Sequence, residues 1–360
     1  MKYDIKVTRT NNSRVSDVDF DNIPFGRLFS DHMFVSEYVG GQWINPRIEP
    51  FAPFLIHPGS MGLHYGQSIF EGMKASLSQD GDPMLFRPEM HGRRLNVSAA
   101  RMCMPAFPED LFLEALHMLV GMDRTWIPPK EGSALYIRPF MFANDEFIGV
   151  KTSQTYKFII ITGPVGPYYP RPVSLLAETK YIRAARGGVG DAKAAGNYGG
   201  AMLPAKLAQD KGYDQVLWLD GREFKYVQEV GTMNIFFVID GKVITPSTDE
   251  GTILKGITRD SFIKLLPELG YKVEERPLSI EEVVDAYHSG VLQECFGAGT
   301  AAVVAHVDKI AYKDLIMELP PMEARKVGEM AKSYINALRA GKIEDKWGWI
   351  VPVKTEALVG

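Results

Sequence analysis

Strand-like runs of apolar positions on both sides of short turns predict two β-hairpins in the first ninety residues. Two pairs of apolar runs, at 33–44 and 73–87, flank turns at Gly40-Gly41 and Asp80-Gly81. Glycine and Asp-Gly turns between short strand-like runs are typical of hairpins. The chain therefore begins with antiparallel β-structure.

The apolar spacing then changes to that of helices. Pro88 begins a predicted helix that runs to Arg101, and a second helix is predicted from Pro108 to about Arg124. Apolar residues recur three or four positions apart in these segments, and proline is common in the first turn of a helix. Two further strands, predicted at 134–142 and 156–162, complete an α+β segment.

The segment 163–172 contains four prolines and two glycines and is the best candidate for a domain boundary. A chain of 360 residues exceeds the size at which one hydrophobic core keeps growing. We therefore expect an α/β (α+β) protein with a smaller N-terminal domain at 1–165, an interdomain loop at 166–178 and a larger domain at 179–360.

Helices and strands are predicted to alternate through the second half. Thr258 is the expected N-cap of one helix, and Ser279 with Glu282 forms the capping box of another. The helices are predicted at 200–210, 258–269, 279–288 and 322–338, and the strands at 173–177, 215–219, 234–239, 243–245, 291–296 and 301–307.

The composition is that of an ordinary globular protein, with 46% hydrophobic residues, 23% charged residues and a net charge of -4. The charge disfavours a nucleic-acid partner, and no apolar run is long enough to span a membrane. The first residues lack the apolar core of a signal peptide, so a cytoplasmic location is expected. Cys103 and Cys295 lie in apolar surroundings and are expected to be buried thiols.

The stretch 187–200 contains a single lysine, Lys193, among glycines and alanines. Glycine allows the chain to approach a bound group closely, and a desolvated lysine is a candidate nucleophile for a carbonyl. A phosphate loop of the NTPase kind is excluded, because Ala192 and Ala194 replace its glycine and its hydroxyl residue. The glycine spacing does not match a dinucleotide fingerprint. A solvated lysine in a flexible surface loop remains the alternative.

Two downstream features favour a bound cofactor. Glu229 precedes an apolar strand and could keep a pyridine nitrogen protonated, although a surface salt bridge is the simpler role for one glutamate. The helix that begins near Thr258 offers backbone amides to an anion, and Arg94 could add positive charge. A lysine, a carboxylate and an anion-binding helix start together describe a site for pyridoxal 5'-phosphate.

At this point the sequence resembles the class IV (fold type IV) aminotransferases. The likeness rests on Glu229-x-Gly231-x-x-Asn234 and on Leu254-x-Gly256-Ile257-x-Arg259. The chain is most similar to branched-chain aminotransferases, through Phe70-Glu71-Gly72, Tyr136-Ile137-Arg138 and the stretch 187–198 among other segments. These matches cover nearly the whole chain.

The resemblance implies a homodimer that moves the amino group of L-leucine, L-isoleucine or L-valine to 2-oxoglutarate, with small molecules as its other partners and no metal. Lys193 would carry the cofactor, Glu229 would face its ring nitrogen and Tyr198 its 3'-oxygen. The implied cofactor-binding residues are Arg94, Arg183, Lys193, Tyr198, Glu229, Thr232, Ile257, Thr258 and Thr300, of which Arg94, Ile257, Thr258 and Thr300 would hold the phosphate with Arg183 close by. The implied substrate-binding residues are Phe29, Tyr65, Phe70, Tyr136, Arg138, Tyr168, Thr232 and Ala301.

By the same resemblance, Arg138 with Tyr136 would bind the glutamate side chain, whereas a salt bridge at the strand end is the structural alternative for this arginine. D-amino acid aminotransferase and aminodeoxychorismate lyase are the alternatives within the fold. The Tyr136-x-Arg138 pair and the long N-terminal segment favour the branched-chain interpretation. A binding protein without a cofactor is the alternative from another class.

Overall fold

The computed structural model describes residues 3–166 and 171–354, which form two compact units. Within the described residues, unit 1 is drawn from Met1–Tyr168, Ala192–Ala195 and Asn336–Gly360, and unit 2 is drawn from Tyr169–Asp191 and Gly196–Ile335. The predicted boundaries differ from this division in two ways. Residues 192–195 and the C-terminal part belong to unit 1. The strand at 173–177 is present as predicted, but it belongs to unit 2, inside the bounds predicted for the interdomain loop.

Unit 1 contains a nine-stranded sheet. The strands are β1 (Lys6–Val7), β2 (His32–Val39), β3 (Gln42–Pro50), β4 (Ser68–Phe70), β5 (Met73–Leu77), β6 (Pro83–Phe86), β7 (Ala134–Ala143), β8 (Tyr156–Val165) and β18 (Ile350–Pro352). Their order is β1-β3-β2-β8-β7-β5-β6-β18, with β4 paired to β7. All of the pairings are antiparallel except the one between β1 and β3.

Helix α1 (Met61–Tyr65) is a single turn that contributes Met61 to the core of unit 1. Two longer helices, α2 (Pro88–Arg101) and α3 (Glu109–Met122), contribute more of the core. Apolar side chains of both helices join those of β2, β5 and β7 in one buried cluster. Ala192 and Ala194 belong to the same cluster, which is why the lysine segment between them is part of unit 1. A 3-10 turn at Val15–Asp17 and another at Arg124–Trp126 complete this unit.

Unit 2 contains a second nine-stranded sheet. The strands are β9 (Val173–Ala177), β10 (Gln215–Leu219), β11 (Val227–Val230), β12 (Asn234–Ile239), β13 (Lys242–Thr245), β14 (Lys272–Glu275), β15 (Leu292–Gly299), β16 (Val303–Tyr312) and β17 (Leu315–Glu318). Their order is β11-β10-β9-β16-β15-β12-β13-β14, with β17 paired to β16. The helices are α4 (Ala195–Gly200), α5 (Met202–Asp210), α6 (Ile257–Glu268), α7 (Ile280–His288) and α8 (Val327–Arg339), and a 3-10 turn covers Met322–Ala324. The first residue of α4 and the last four residues of α8 are assigned to unit 1.

The predicted hairpins and the helix from Pro88 to Arg101 are confirmed, but several finer predictions are wrong. The N-cap of α6 is Gly256, and Thr258 lies inside the first turn. Ser279 does cap α7 by accepting a hydrogen bond from the Glu282 amide, whereas the Glu282 carboxylate pairs with Arg276. Cys103 is exposed, because it lies in a turn with a positive φ of 53° just after α2, while Cys295 is buried as predicted.

None of the helices in the described parts of the chain is both long enough and apolar enough to cross a membrane. The apolar residues serve the two cores instead. In unit 2, stacked Phe236 and Phe296 lie 5.4 Å apart, and Phe262 of α6 packs on them edge to face. This packing holds α6 against β12 and β15, and it fixes the position of the N-terminus of the helix.

Candidate active site

Lys193 is fixed on both sides of its backbone by unit 1. Its carbonyl accepts a hydrogen bond from the Phe70 amide (3.0 Å), and its own amide donates to the Ser98 hydroxyl of α2 (2.9 Å). The next residue, Ala194, forms an isolated antiparallel bridge with Ile69. The interpretation of Lys193 as part of a flexible surface loop is therefore wrong.

The Phe70 ring lies close to two cations. The Lys193 ammonium is 4.9 Å from the ring centroid, and the Arg138 guanidinium carbon is 4.5 Å from it. Cations near an aromatic face gain from the ring quadrupole, more so where water is excluded. A candidate nucleophile and a candidate carboxylate-binding group therefore share one aromatic neighbour, Phe70, which the family resemblance also placed in the site.

Arg138 has a donor without an acceptor. Its Nη2 donates to the Tyr136 hydroxyl (2.9 Å), but its Nε is buried and has no hydrogen-bond partner among the described residues. No carboxylate in the described parts of the chain forms an ion pair with Arg138, so a strand-end salt bridge does not hold it. A Cβ at Gly72 would collide with the Tyr136 hydroxyl, so a larger residue there would displace the tyrosine. A buried N–H of this kind indicates a place for an anionic ligand.

The other predicted substrate residues have less specific surroundings. Phe29 is half-buried and stacks on Phe51 at 4.9 Å. Tyr65, the last residue of α1, is exposed. Tyr168 lies outside the described residues. The roles assigned to these three residues by the family resemblance stay predictions.

Arg94 belongs to a buried cluster with Glu71 and His91, which we call the Glu71 cluster. The Nε and Nη2 of Arg94 each donate to one carboxylate oxygen of Glu71 at 2.8 Å, and the Nδ1 of His91 lies 2.8 Å from the second oxygen. Glu71 and His91 are buried, and Arg94 is 11% exposed. Arg94 is thus charge-paired within the chain, which the sequence did not predict, and its role toward a phosphate stays a prediction.

The charge state of the Glu71 cluster follows from its contacts. Burial alone would raise the pKa of Glu71, but the Arg94 charge and the hydrogen bonds from Arg94 and His91 outweigh burial, so this pKa lies far below its usual range. Burial lowers the pKa of His91, and the charges of Arg94 and Lys193 lower it further against the effect of Glu71. At neutral pH the cluster therefore contains a carboxylate, a guanidinium and a neutral imidazole that donates through Nδ1.

Unit 2 contains a second buried carboxylate, that of Glu229 on β11. One oxygen accepts a hydrogen bond from the Leu254 amide at 2.7 Å, and the other lies 2.8 Å from the Nε of Arg183. Both side chains are less than one-tenth exposed. The alternative of a surface salt bridge for Glu229 is wrong, since a carboxylate buried in this way needs a cation or a protonated ring beside it.

Arg183 is bound more fully than predicted. Its Nη1 donates to the Thr252 carbonyl at 2.8 Å, and both Nη atoms also approach the Gly190 carbonyl of the glycine loop. Its hydrogen bonds go to Glu229 and to backbone carbonyls. In the structure Arg183 supports Glu229, and its expected place close to a phosphate stays a prediction.

The N-terminus of α6 begins without a side-chain cap. Gly256 is the N-cap with φ -68° and ψ 135°, and no side chain caps this position. A Cβ at Gly256 would collide with the Asn234 side-chain oxygen, while the Asn234 amide nitrogen donates to the Leu254 carbonyl at 2.9 Å. Ile257 and Thr258 are buried in the first turn. A helix start of this kind favours an anion.

The remaining predicted residues of unit 2 lie on turns or on a short helix. Tyr198 is half-buried on α4, and Thr232 is exposed in the turn between β11 and β12. Thr300 and Ala301 are half-buried in the turn between β15 and β16. That turn ends at Val303, whose φ of 62° is unusual for a β-branched residue and indicates local strain.

Sequence reasoning missed Glu71, His91 and Ser98 as parts of the candidate site. Glu71 was noted only inside the Phe70-Glu71-Gly72 motif. His91, Arg94 and Ser98 are three and four positions apart, and that spacing places them on one face of α2. The spacing was available in the sequence, but a glutamate that would meet this face could be identified only after folding.

Three comparisons relate these features to known proteins. A family model described as amino-transferase class IV matches residues 68–310. Branched-chain-amino-acid aminotransferase 2 of Bacillus subtilis (strain 168) is 45% identical over 339 residues, which cover 93% of both chains. The crystal structure of the Escherichia coli branched-chain amino acid aminotransferase matches with a TM-score of 0.72 at 29% identity, over 90% of this chain and 99% of that one. A T.th. branched-chain amino acid aminotransferase complexed with N-(5'-phosphopyridoxyl)-L-glutamate matches with a TM-score of 0.72 at 25% identity, over 89% of this chain and 98% of that one.

Proposed function

The chain belongs to the class IV aminotransferases, and from this premise we propose that it is a branched-chain amino acid aminotransferase that uses pyridoxal 5'-phosphate. It would transfer the amino group of L-leucine, L-isoleucine or L-valine to 2-oxoglutarate, reversibly and in two half-reactions. The observation that carries the proposal is the Phe70 ring, which adjoins both the Lys193 amine and the Arg138 guanidinium with its unpartnered Nε.

The residues present fit the cofactor. Lys193 offers a primary amine next to an aromatic ring, and Glu229 offers a buried carboxylate that lies beside the Arg183 guanidinium. The start of α6 has no side-chain cap and includes Thr258, which suits a phosphate. Lys193 would bind the aldehyde, Glu229 the ring nitrogen, and Tyr198 the 3'-oxygen. The phosphate would be held by Arg94, Ile257, Thr258 and Thr300, with Thr232 near the bound cofactor.

When bound, the cofactor supplies an electron-withdrawing ring that stabilises negative charge at the substrate Cα. Lys193 would hold the cofactor until an amino acid arrives, and its freed Nζ would then take the proton from the substrate Cα and pass it to the cofactor. In the second half-reaction Nζ would carry a proton in the opposite direction. Glu229 would hold a proton on the ring nitrogen. Ser98 and Phe70 keep the Lys193 backbone in place through the two hydrogen bonds that its amide and carbonyl make.

The substrate pocket must accept an aliphatic side chain and also the carboxylate of glutamate. Aromatic walls suit the first, because burying a leucine-sized side chain contributes about 1.5–3 kcal/mol. Arg138 with Tyr136 would bind the second, and the buried Nε of Arg138 supports this assignment. Ala301, Thr232, Phe29, Tyr65 and Tyr168 would complete the pocket. The glutamate adduct in the T.th. relative is consistent with a dual pocket.

A homodimer is part of the proposal. Leu55 and Val150 are 99% and 91% exposed, and Leu63, Tyr65 and Ile148 are exposed as well. A hydrogen bond from the Phe147 amide to the Gly59 carbonyl joins the two segments that carry these side chains. Exposed apolar residues collected in this way favour a protein partner. Light scattering should report the mass of two chains, and a stable monomer that is fully active would contradict the dimer.

A substrate panel tests the function. Purified protein is assayed with L-leucine, L-isoleucine, L-valine and D-leucine as donors to 2-oxoglutarate, for the wild type and for Arg138→Ala. We expect activity with the three L-donors and none with D-leucine. A D-amino acid aminotransferase would show the reverse. Arg138→Ala should lower kcat/KM for 2-oxoglutarate and glutamate at least about tenfold more than for leucine, since it removes a charge-assisted hydrogen bond.

Arg47 provides the matched control for this panel. It lies on β3 of the same sheet and pairs with Glu37 of β2 and with Glu49 of β3, and Arg47→Ala should leave both substrate classes unchanged. Equal losses for leucine and glutamate in Arg138→Ala would contradict the assignment of Arg138. Release of an aromatic product from aminodeoxychorismate without transamination would favour the lyase alternative, and no bound cofactor in the purified protein would favour a binding protein.

A further inference from the structure

Glu71 accepts more hydrogen bonds than an ordinary salt-bridge partner. One oxygen accepts from the Arg94 Nε, and the other accepts from the Arg94 Nη2, from His91 and, at 3.3 Å, from the Gly72 amide. The side chain is fully buried. Because this carboxylate is fully buried and both of its oxygens already accept hydrogen bonds inside the protein, we expect its effect to pass through a neighbour.

Arg94 is that neighbour. A guanidinium has five N–H groups in a rigid plane, and Glu71 occupies two of them from the side. Two parallel hydrogen bonds fix both the position and the tilt of the plane, which one bond or a point charge would not do. The remaining N–H groups then point in directions set by Glu71.

His91 fixes Glu71 in turn. Its ring lies on the same face of α2 as Arg94 and Ser98, and Ser98 holds the backbone of Lys193. Because burial keeps the imidazole neutral, Nδ1–H donates to Glu71 without adding a second positive charge. One helix face therefore supports both the amine-bearing residue and the arginine.

We propose that Glu71, held by His91, is a positioning residue that orients Arg94 toward the phosphate of the cofactor. The inference rests on the proposed function. It predicts that the loss of Glu71 weakens recognition of the phosphate, although removal of a nearby negative charge would by itself strengthen the binding of an anion. The direction of the change in phosphate recognition therefore distinguishes the orientation of Arg94 by Glu71 from the simple removal of a negative charge.

The experiment measures how strongly the full-length apoprotein prefers pyridoxal 5'-phosphate over pyridoxal, as the ratio of the two dissociation constants from absorbance titrations. Arg94→Gln should lower this preference about tenfold or more, because it removes a charge-assisted contact to the phosphate alone. Glu71→Gln should lower it about three- to tenfold. In the double variant Glu71→Gln/Arg94→Gln the preference should equal that of Arg94→Gln, since Glu71 acts only through Arg94.

The controls separate orientation from stability. Glu49→Gln, which breaks the surface pair with Arg47, should leave the preference unchanged. If Glu71→Gln does not fold, as judged by circular dichroism, His91→Gln is used and should lower the preference in the same direction. An unchanged or higher preference in a folded Glu71 or His91 variant overturns the proposal, as does an additive double variant. A wild-type protein that binds neither aldehyde overturns the proposed function itself.

Discussion

Both units bury an arginine–glutamate pair. In each pair one member, which we call saturated, has its hydrogen-bonding groups taken up by other groups of the chain, and this member differs between the units. In unit 1 the oxygens of Glu71 are taken up by Arg94, His91 and the Gly72 amide. In unit 2 it is the arginine whose donors are taken up, since Arg183 binds Glu229, the Thr252 carbonyl and the Gly190 carbonyl. The saturated member can act only through its partner. We therefore propose a functional role for Arg94 in one pair and for Glu229 in the other.

This difference also shows why a buried ion pair is weak evidence of function by itself. Burying two charges costs solvation free energy that their attraction only partly offsets. Such a pair is better explained when one of its members has a chemical task. In unit 1 the proposed task is to hold an anion, and in unit 2 it is to stabilise a proton on a ring.

The largest effect is expected when the functional member of the unit 2 pair is changed. Glu229→Gln keeps the size but loses the charge, so it can no longer hold a ring proton, and kcat should fall about 10²–10³-fold with cofactor at saturation. Arg183→Gln leaves the carboxylate in place but less well oriented, and kcat should fall only about tenfold.

Steady-state kinetics with L-leucine and 2-oxoglutarate check this order. Arg276→Gln, which breaks a pair with Glu274 and Glu282, is the control and should retain wild-type kcat. If Arg183→Gln were as damaging as Glu229→Gln, the distinction between the functional and the supporting member would fail.

A smaller effect is expected at the contact that holds the Glu229 loop. In Gly256→Ala the new Cβ would displace Asn234, which binds the Leu254 carbonyl, while the Leu254 amide binds Glu229. Affinity for the cofactor and kcat should each fall about tenfold, because the carboxylate and the start of α6 move together. Gly166→Ala, where a Cβ meets nothing within 4 Å, is the control. Wild-type affinity for the cofactor in Gly256→Ala would show that Asn234 can move without disturbing the site.

The smallest effect concerns acid stability in unit 1. The folded-state pKa of Glu71 is lowered from 4.5, so the unfolded chain binds the proton more strongly. The stabilisation by Glu71 is therefore present above about pH 4.5 and is lost as the pH falls further. Between pH 5.5 and 3.5 the Tm of the wild type should drop more than that of Glu71→Gln. The additional drop should be about 2–4 °C for each kcal/mol of unfolding free energy that is lost when Glu71 is protonated.

Scanning calorimetry across that range measures the effect. Glu131→Gln, which removes an exposed carboxylate, should follow the wild-type curve. Parallel curves for the wild type and Glu71→Gln would mean that Glu71 is not held ionised by Arg94 and His91.

Much of the fold could be predicted from local patterns. The short apolar runs in β2, β5 and β12 and the proline at the start of α2 are local signals, and all of these elements are present. Other elements depend on contacts across long stretches of sequence. Strand β18 pairs with β6, more than 250 residues earlier in the chain, and the three-residue strand β4 carries too little pattern to be recognised.

The candidate site divides in the same way. Lys193 could be identified because its glycine-rich surroundings are local, and the resemblance extended this to Glu229 and Arg138. The saturation of Glu71 and of Arg183 could not be identified, because it depends on backbone carbonyls, on amides and on a helix face that meet only in the folded chain. Glu71 and Arg183 act as supports for their partners because they are buried, and sequence spacing does not report burial.

The most direct test concerns Lys193 itself. The purified protein is reduced with borohydride, digested and analysed by mass spectrometry for a peptide that carries the phosphopyridoxyl group. The account predicts one modified peptide, with the group on the Nζ of Lys193, and no modification in Lys193→Ala. A label on another lysine, or none on a protein that still transaminates, would contradict it.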